Sequence, residues 1–347
     1  MVTNKEWVIE DYTEDVSSWA EITPTSGVGT TEVKVKMLQP GTELENRFAQ
    51  VGFRIDRVHC AMLILTQKSS LDITLSVDKV VFSNKGKMYR ILVDNIPVGT
   101  NVSKGVRLST LINMEPGEKV VAVTSLYRKT TAQYVVFITK QGLIKKTKLL
   151  EFASIRKSGK IAINLNEGDE LISVQVSSGD DEILAASYEG KCIRFSEKDV
   201  RPMGRDAAGV RGIMLTGDDV VIGAEKVEEG KTLLTVTENG FGKRTELPEY
   251  LRTGPNGEKM PQSRGGKGLK NYNITPKTGK VAGCRVVSET DDIMLIENGG
   301  VIIRVPASSV NVYKRDVQGV IIMRVEEGNK LVSVERVEAI TEEGAEA

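Results

Sequence analysis

A glycine-rich basic loop is the part of the sequence best suited to chemistry. The stretch PQSRGGKGLK, residues 261–270, places Arg264 and Lys267 among three glycines, and neither a strand nor a helix pattern covers it. Glycines allow positive φ and a close approach of the backbone to a partner, and N–H groups beside two cations suit phosphate oxygens. The GxxxxGK[ST] spacing of a nucleotide-binding P-loop is missing. The loop is therefore either a phosphate-binding loop or a solvated turn.

The elements that must position this loop are revealed by an internal repeat. Five segments each read as an apolar strand, a polar turn with glycine and a second strand, which is typical of a β-hairpin. The first is VVFSNKGKMYRI at 80–91, and the last is IMLIENGGVIIRV at 293–305. The turn glycines are Gly86, Gly142, Gly190, Gly240 and Gly300. Four residues after each glycine stands a cation, in order Arg90, Lys146, Arg194, Arg244 and Arg304.

Each repeat continues with further glycines and at least one more strand. A glycine directly before an aliphatic residue recurs in four repeats, as in Gly209-Val210. A repeat thus offers about four strands, which predicts an all-β fold built from about five four-stranded blades in a propeller-like array. The basic loop is an insertion in the fourth repeat and ends on that repeat's own glycine, Gly268. Long loops on a rigid scaffold are often functional.

The repeated cations have two interpretations. They are either solvated residues that protect sheet edges from aggregation, or a curved positive surface that contacts the phosphates of a bent duplex without reading its bases. We predict the second. The predicted DNA-binding cations of the repeats are Lys87, Arg90, Lys145, Lys146, Lys191, Arg194, Lys243, Arg244 and Arg304. Further basic residues nearby in the sequence are Arg156, Lys157, Arg201, Arg205, Arg211, Lys314 and Arg315.

The overall composition is neutral but conceals a charge asymmetry. Residues 1–78 hold 7 Lys+Arg and 12 Asp+Glu, a net charge of −5, whereas residues 79–340 hold 40 and 32, a net charge of +8. A basic body between acidic ends favours a polyanionic partner. Three widely spaced cysteines and one histidine, His59, indicate neither disulfides nor a metal site, so no cofactor is expected. The absence of a signal peptide or long apolar run predicts a cytoplasmic protein.

Residues from about 79 to 338 resemble the C-terminal domain of DNA gyrase A. The resemblance rests on LLTVTENGFGKRTELPEY, SRGGKG, DIMLIENGGVIIRV and QGVIIMRVEEGNKLVSVERV. It implies a β-pinwheel that wraps double-stranded DNA through backbone contacts that do not depend on base sequence. It also implies that the rest of a gyrase complex is a partner. The domain itself would be noncatalytic, because the DNA-cleaving part of this ATP-dependent topoisomerase is not expected here.

The same resemblance gives the basic loop a role. The family's box motif is Gln-Arg-Arg-Gly-Gly-Lys-Gly, and Ser263 replaces its first arginine here. The matching residues, for which a phosphate-binding role is implied, are Gln262, Arg264, Gly265, Gly266, Lys267 and Gly268. The family's principal box normally lies on a first blade, which this sequence does not show, so five blades are expected where the family has six.

The first 75 residues do not follow the repeat. Their segments SSWAEITPTSGVGTTEVKVKM and CAMLILTQKS resemble part of a BACON-type immunoglobulin-like domain, which implies a β-sandwich-like segment. The predicted domains are therefore 1–75, the pinwheel at 79–338 and an acidic tail at 339–347. Alternatives to the gyrase function are the related C-terminal domain of topoisomerase IV, a carbohydrate-binding or protein-binding β protein, and a nonfunctional chimera.

Overall fold

The computed structural model of the chain describes an almost entirely β protein. The described residues are 6–11, 20–23, 26–28, 34–37, 47–55, 59–67, 73–76, 78–92, 96–97, 105–124, 133–152 and 159–337. Helical structure in this part is limited to short 3-10 turns at Leu108–Thr110, Leu149–Phe152, Glu197–Asp199, Leu247–Tyr250 and Ala307–Ser309. None of the described helices has the length and hydropathy needed to cross a membrane. The predicted acidic tail lies outside the described residues.

The N-terminal strands form two antiparallel sheets. These strands are β1 (Glu6–Asp11), β2 (Ala20–Thr23), β3 (Ser26–Val28), β4 (Lys34–Met37), β5 (Arg47–Ile55), β6 (His59–Gln67) and β7 (Ile73–Ser76). Five of them pair in the order β3-β1-β5-β6-β7, and β2 pairs with β4. The resemblance to a BACON-type domain and the boundary at residue 75 stay predictions.

Each of the five repeats forms the predicted antiparallel hairpin. The hairpin strands are β8 (Asp78–Ser83) with β9 (Lys87–Leu92), β11 (Tyr134–Thr139) with β12 (Leu143–Lys148), β15 (Glu182–Ser187) with β16 (Lys191–Ser196), β19 (Thr232–Thr237) with β20 (Phe241–Glu246), and β25 (Asp292–Glu297) with β26 (Ile302–Pro306). The turn glycines all have positive φ, between 72° at Gly86 and 95° at Gly300. A residue with a Cβ would be strained in these turns.

A third strand from the same repeat pairs with the first strand of each hairpin. These third strands are β10 (Val120–Thr124), β14 (Leu171–Ser177), β18 (Val221–Lys226), β24 (Val281–Val287) and β28 (Leu331–Val337). The all-β, propeller-like fold predicted from the repeat is thus confirmed.

The fourth strand of a blade comes from the following repeat. These strands, called donor strands below, have only two residues each and are β13 (Lys160–Ile161), β17 (Val210–Arg211), β23 (Leu269–Lys270) and β27 (Val320–Ile321). They pair with the outer edges of β9, β12, β16 and β20, respectively. Four described blades therefore have four strands, and the fifth has three in the order β26-β25-β28. The inserted segment of the fourth repeat adds a small ribbon of β21 (Arg252–Thr253) and β22 (Lys259–Met260).

The chain forms two compact units. Unit 1 comprises Met1–Ser83, Lys87–Gln133 and Leu149–Ala162, and unit 2 comprises Asn84–Gly86, Tyr134–Lys148 and Ile163–Ala347. In unit 1, a core cluster in the first blade contains Val81, Tyr89 and Ile91.

In unit 2 the cores lie between neighbouring blades. One cluster joins Val136 of the second blade to Ile183 of the third, and another joins Leu234 of the fourth blade to Leu295 of the fifth. The third strands β14, β18, β24 and β28 contact one another in that order. This packing leaves the donor strands at the opposite edge of each sheet.

Candidate nucleic-acid interface

Four of the cations predicted to lie on the surface are buried. The exposed fractions are 0% for Lys145, 4% for Lys146, 0% for Lys243 and 4% for Arg244. The prediction of exposed cations at these positions is therefore wrong. The physical reason is that β12 and β20 are inner strands of complete sheets, because a donor strand and the loop before it cover their outer edges. Any role of these residues in DNA binding has to be indirect.

Lys145 and Lys243 anchor the backbone of loops that carry other cations. The Nζ of Lys145 donates a hydrogen bond to the carbonyl oxygen of Arg205. The Nζ of Lys243 donates to the carbonyl oxygens of Lys314, at 2.7 Å, and Arg315, at 2.5 Å, and lies 5.1 Å from the ring centre of Tyr272. Burial lowers the pKa of Lys243 to about 7. The two lysines thus hold equivalent loops in place in the second and fourth blades.

Lys146 and Arg244 are also engaged with the protein. Lys146 donates to the carbonyl oxygen of Glu197 at 2.8 Å, and its Nζ lies 3.7 Å from a carboxylate oxygen of the same residue. Arg244 donates to the carbonyl oxygen of Val310 at 2.6 Å and to the carboxylate of Glu289 at 2.5 Å. These bonds satisfy the buried charges, and they fasten each blade to the chain segment that follows the hairpin of the next repeat.

The remaining cations of the repeat are half-buried or exposed, and three of them have acidic partners. Lys87 bonds to Glu115, Arg194 to Glu182 at 2.5 Å, and Arg304 to Asp292 at 2.7 Å. Arg90 is half-buried. The exposed pairs among these contribute little to stability, but the acidic partners reduce the positive potential that a phosphate would meet.

Two polar side chains of the box loop, residues 261–268, hold it against the outer edge of the third blade. Gln262 donates its backbone N–H to the carbonyl oxygen of Arg194 at 2.7 Å and its side-chain amide to the carbonyl oxygen of Tyr250 at 3.0 Å. Arg264 donates to the carbonyl oxygens of Asp199 at 2.9 Å and Arg211 at 2.5 Å. The side chains of Gln262 and Arg264 therefore position the loop.

The glycines of the box loop allow its close fit, and its lysine faces solvent. Gly265 donates its N–H to Gly212 at 2.7 Å, and Gly266 accepts an N–H bond from Met214 at 2.8 Å. Gly268 has a φ of 69°, and a Cβ there would lie 2.7 Å from the carbonyl oxygen of Cys192. Lys267 is exposed, and its ammonium group has no hydrogen-bond or ion-pair partner in the described part of the chain. Of the box residues, Lys267 is the one available to an external anion.

Exposed cations without acidic partners concentrate on the outer sheet edges of unit 2. We call these residues the outer-edge cations: Lys191, Arg201, Arg211, Arg252, Lys259, Lys267, Lys270 and Lys314. Each is exposed and forms no ion pair with Asp or Glu among the described residues. They lie on donor strands, on strand β16 beside one, or on the loops and ribbon leading to a donor strand.

Many other cations of unit 2 contrast with this group, although Lys148, Lys277 and Arg324 are also exposed without an ion pair among the described residues. Lys280 pairs with Glu189, Lys330 pairs with Glu238 at 2.8 Å, and Arg285 pairs with Glu335 at 2.8 Å. Most exposed cations of unit 2 that form no ion pair among the described residues therefore lie along the outer edges. The sequence patterns did not identify Arg252, Lys259 and Lys270 as candidate DNA-binding residues. Lys270 could have been found from its position directly after the glycine and aliphatic residue that recur at the donor strands.

The profile of the family described as "DNA gyrase C-terminal domain, beta-propeller" matches residues 80–126, 133–178, 181–228, 231–260, 261–288 and 291–338. These segments cover most of the chain and all five repeats. The chain belongs to this family. Within this gyrase-type domain, the fourth repeat is matched in two pieces that meet at Pro261, where the box loop begins.

Curated relatives of this domain are DNA gyrase A proteins. The chain is 42% identical over 256 residues to DNA gyrase A of Clostridium acetobutylicum, covering 74% of this chain and 30% of that protein. It is 36% identical over 263 residues to DNA gyrase A of Escherichia coli K12, covering 76% of this chain and 29% of that protein. The chain thus spans about a third of the length of the relatives it matches.

Solved structures support the assignment of the gyrase-type fold. The structure of a DNA gyrase A C-terminal domain matches with a TM-score of 0.62 and 25% identity, covering 88% of this chain and 96% of that chain. The C-terminal domain of DNA topoisomerase IV matches with a TM-score of 0.68 and 22% identity, covering 80% and 82%. The second likeness concerns the fold alone, whereas the sequence relatives identify the gyrase branch.

Proposed function

We propose that this chain is a DNA-binding and DNA-wrapping domain of a gyrase-type topoisomerase. The observation that carries the proposal is the set of outer-edge cations, which lie on successive blades without acidic partners among the described residues. Membership in the gyrase family supports DNA as the polyanion. The domain would contribute binding and no chemistry of its own, and it would act in the cytoplasm with the remaining parts of a gyrase complex.

The contacts would be made to phosphates. Lysine and arginine side chains on an edge can follow the backbone of a duplex without reaching into its grooves, so affinity would depend little on base sequence. Cations on several blades would spread these contacts along the duplex, and such spreading offsets the cost of bending DNA. Lys145 and Lys243 would take part indirectly by fixing the loops that carry Arg205, Lys314 and Arg315.

The binding test compares two variants of equal charge. The first replaces Lys191, Arg211, Lys267 and Lys270 by glutamine, and the second replaces Lys231, Lys280, Lys330 and Arg336, all of which have acidic partners. Fluorescence anisotropy with random-sequence duplexes over a salt series gives the slope of log K against log salt. We expect the first variant to lose about 0.9 of slope for each phosphate contact removed and the second to keep most of it. Equal losses in both would refute the outer-edge assignment.

A second experiment tests wrapping. The full chain is bound to a nicked circular DNA, the nick is sealed, and the linking number is compared with that of protein-free DNA. A wrapped duplex fixes writhe, so the linking number should shift in proportion to bound protein. Binding with the expected salt dependence but no shift in linking number would leave a DNA-binding domain and remove the wrapping part of the proposal.

A further inference from the structure

The outer edge of the fifth blade resembles the edges that carry a donor strand in the other blades. No donor strand pairs with it among the described residues. In the second blade, the carbonyl of the turn residue Gly142 accepts the N–H of Gly212 at 2.8 Å, just beyond donor strand β17. A Cβ on Gly142 would lie 3.1 Å from the carbonyl oxygen of Ile213. The corresponding Gly300 also has a positive φ, yet a Cβ there would meet no atom within 4 Å.

Side-chain exposure also indicates that the edge of the fifth blade lacks a donor strand. The residue two positions after the turn glycine is covered in complete blades, with exposed fractions of 0% for Met88, 1% for Ile144 and 0% for Cys192. In the fifth blade this residue is Ile302, which is 54% exposed, and Val301 before it is 40% exposed. Two adjacent aliphatic side chains are thus exposed at the start of β26, a strand whose outer backbone groups have no ladder partner in the described chain.

The first repeat supplies a matching segment that has no acceptor among the described residues. Its tripeptide Gly105-Val106-Arg107 is identical to Gly209-Val210-Arg211, whose last two residues form donor strand β17. A Cβ on Gly209 would lie 2.6 Å from the carbonyl oxygen of Ile144, its acceptor.

The first-repeat glycine lacks this neighbour. A Cβ on Gly105, with φ of 66°, would meet nothing within 4 Å, and Val106 is 47% exposed. One donor segment and one acceptor edge are therefore left over in the described part of each chain.

We propose that the edge of β26 accepts the Gly105–Arg107 segment of a second copy of this chain. In the second blade Val210 lies opposite Ile144, and Arg211 lies opposite Leu143. By the same register, Val106 of one copy lies opposite Ile302 of the other.

The physical reason is that an exposed edge with aliphatic side chains is a template for strand pairing, and the chain uses this pairing at its four complete blades. The contact joins two different surfaces, so it is heterologous and builds head-to-tail assemblies.

Association of the full chain tests the proposal without DNA. Sedimentation equilibrium should give an average mass that rises with protein concentration. Ile302→Asp places a charge where an aliphatic contact is expected and should raise the dissociation constant at least about tenfold. Val332→Asp is the matched control, because Val332 is 53% exposed on β28, at the other edge of the same sheet. A monomeric full chain, or equal effects of both substitutions, would overturn the proposal.

Disulfide trapping identifies the segments involved. One batch of protein carries Val106→Cys, a second batch with a tag of different size carries Ile302→Cys, and the two are mixed and oxidised mildly. A disulfide-linked species with one copy of each size is expected, since each chain holds only one half of the pair. Pairing Val106→Cys with Val332→Cys should give no such species. A chain carrying both Val106→Cys and Ile302→Cys that closes only its own disulfide would refute exchange between copies.

Discussion

Lys191 and Lys270 lie directly opposite each other in the antiparallel pair of strands β16 and β23. Both are exposed, and neither has an acidic partner among the residues the structure describes. The Nζ of Lys270 donates to the side-chain oxygen of Asn273 at 2.8 Å. Like charges at directly opposed positions destabilise a sheet. An anion held between the two ammonium groups would remove this repulsion, so we propose the pair as a point of contact for a phosphate.

The lysine pair gives the first prediction. Lys191→Gln with Lys270→Gln should lower the salt slope of DNA binding by about 0.9 for each phosphate contact removed, while the free energy of unfolding stays equal or rises by up to about 1 kcal/mol. Anisotropy titrations and urea unfolding measure the two effects. Lys280→Gln with Lys330→Gln is the control, since these lysines pair with Glu189 and Glu238. A loss of stability in the test variant would contradict the proposed repulsion.

The two cations of the box loop should behave differently. Arg264→Ala removes hydrogen bonds to the carbonyl oxygens of Asp199 and Arg211, so it should lower the free energy of unfolding by about 1–3 kcal/mol. Lys267→Ala removes an exposed side chain and should leave stability within about 0.5 kcal/mol while lowering the salt slope by about 0.9. Urea midpoints and binding isotherms separate the two roles. The assignment fails if Lys267→Ala destabilises the protein more than Arg264→Ala.

Burial of Lys243 predicts a dependence of stability on pH. Its pKa is about 7 in the folded protein and ordinarily 10.5, so the unfolded chain binds more protons between these values. The free energy of unfolding should therefore rise with pH across this window. The neutral amine still has two N–H donors for the carbonyls of Lys314 and Arg315, so deprotonation does not cost these bonds.

The control for this pH effect is Lys243→Met, which has a side chain of similar length and no titrating group. Urea unfolding of both proteins at pH about 7 and about 9 should show a larger gain with pH for the parent than for the variant. Equal gains in the two proteins would mean that other groups cause the pH dependence.

The buried carboxylate of Glu297, at the end of β25, should lower the free energy of unfolding of the protein. It is 2% exposed, and both carboxylate oxygens lack hydrogen-bond donors among the described residues. The equivalent positions in the second and fourth blades hold Thr139 and Thr237. Glu297→Thr removes a buried carboxylate with no such donor and should raise the free energy of unfolding by about 1–3 kcal/mol. Glu326→Thr, at an exposed position, is the control and should change the free energy of unfolding by less than about 0.5 kcal/mol. Thermal or urea unfolding of both variants measures the difference, and equal effects would contradict the prediction.

The hairpins could be predicted from the sequence because their information is local. An apolar strand, a turn glycine with positive φ and a second strand lie within about twelve residues of each other, as at Gly142 and Gly190. The exchange of the fourth strand could not be predicted in the same way. A donor strand such as Val210–Arg211 has only two residues, and its partner Leu143–Ile144 belongs to the previous repeat.

The exposure of the repeated cations could not be predicted from the sequence for a related reason. Arg244 and Arg304 occupy the same position after their turn glycines, but their side chains are 5% and 42% exposed. A donor strand and its preceding loop cover the edge of the fourth blade, whereas the described part of the chain contains no such cover for the fifth. Identical spacing therefore yields a buried structural arginine in one blade and a solvated one in the other.

Strand exchange also sets the order in which the strands of a blade can pair during synthesis of the polypeptide. The hairpin of the second blade is complete once Lys148 has been synthesised, but the strand that closes its outer edge ends at Arg211. Because synthesis proceeds at about 5–20 residues per second, the outer edge of this hairpin has no donor strand for roughly 3–12 s. The outer edge of each of the four complete blades therefore stays unpaired until the next repeat has been synthesised, and during this interval it is open to pairing with another chain.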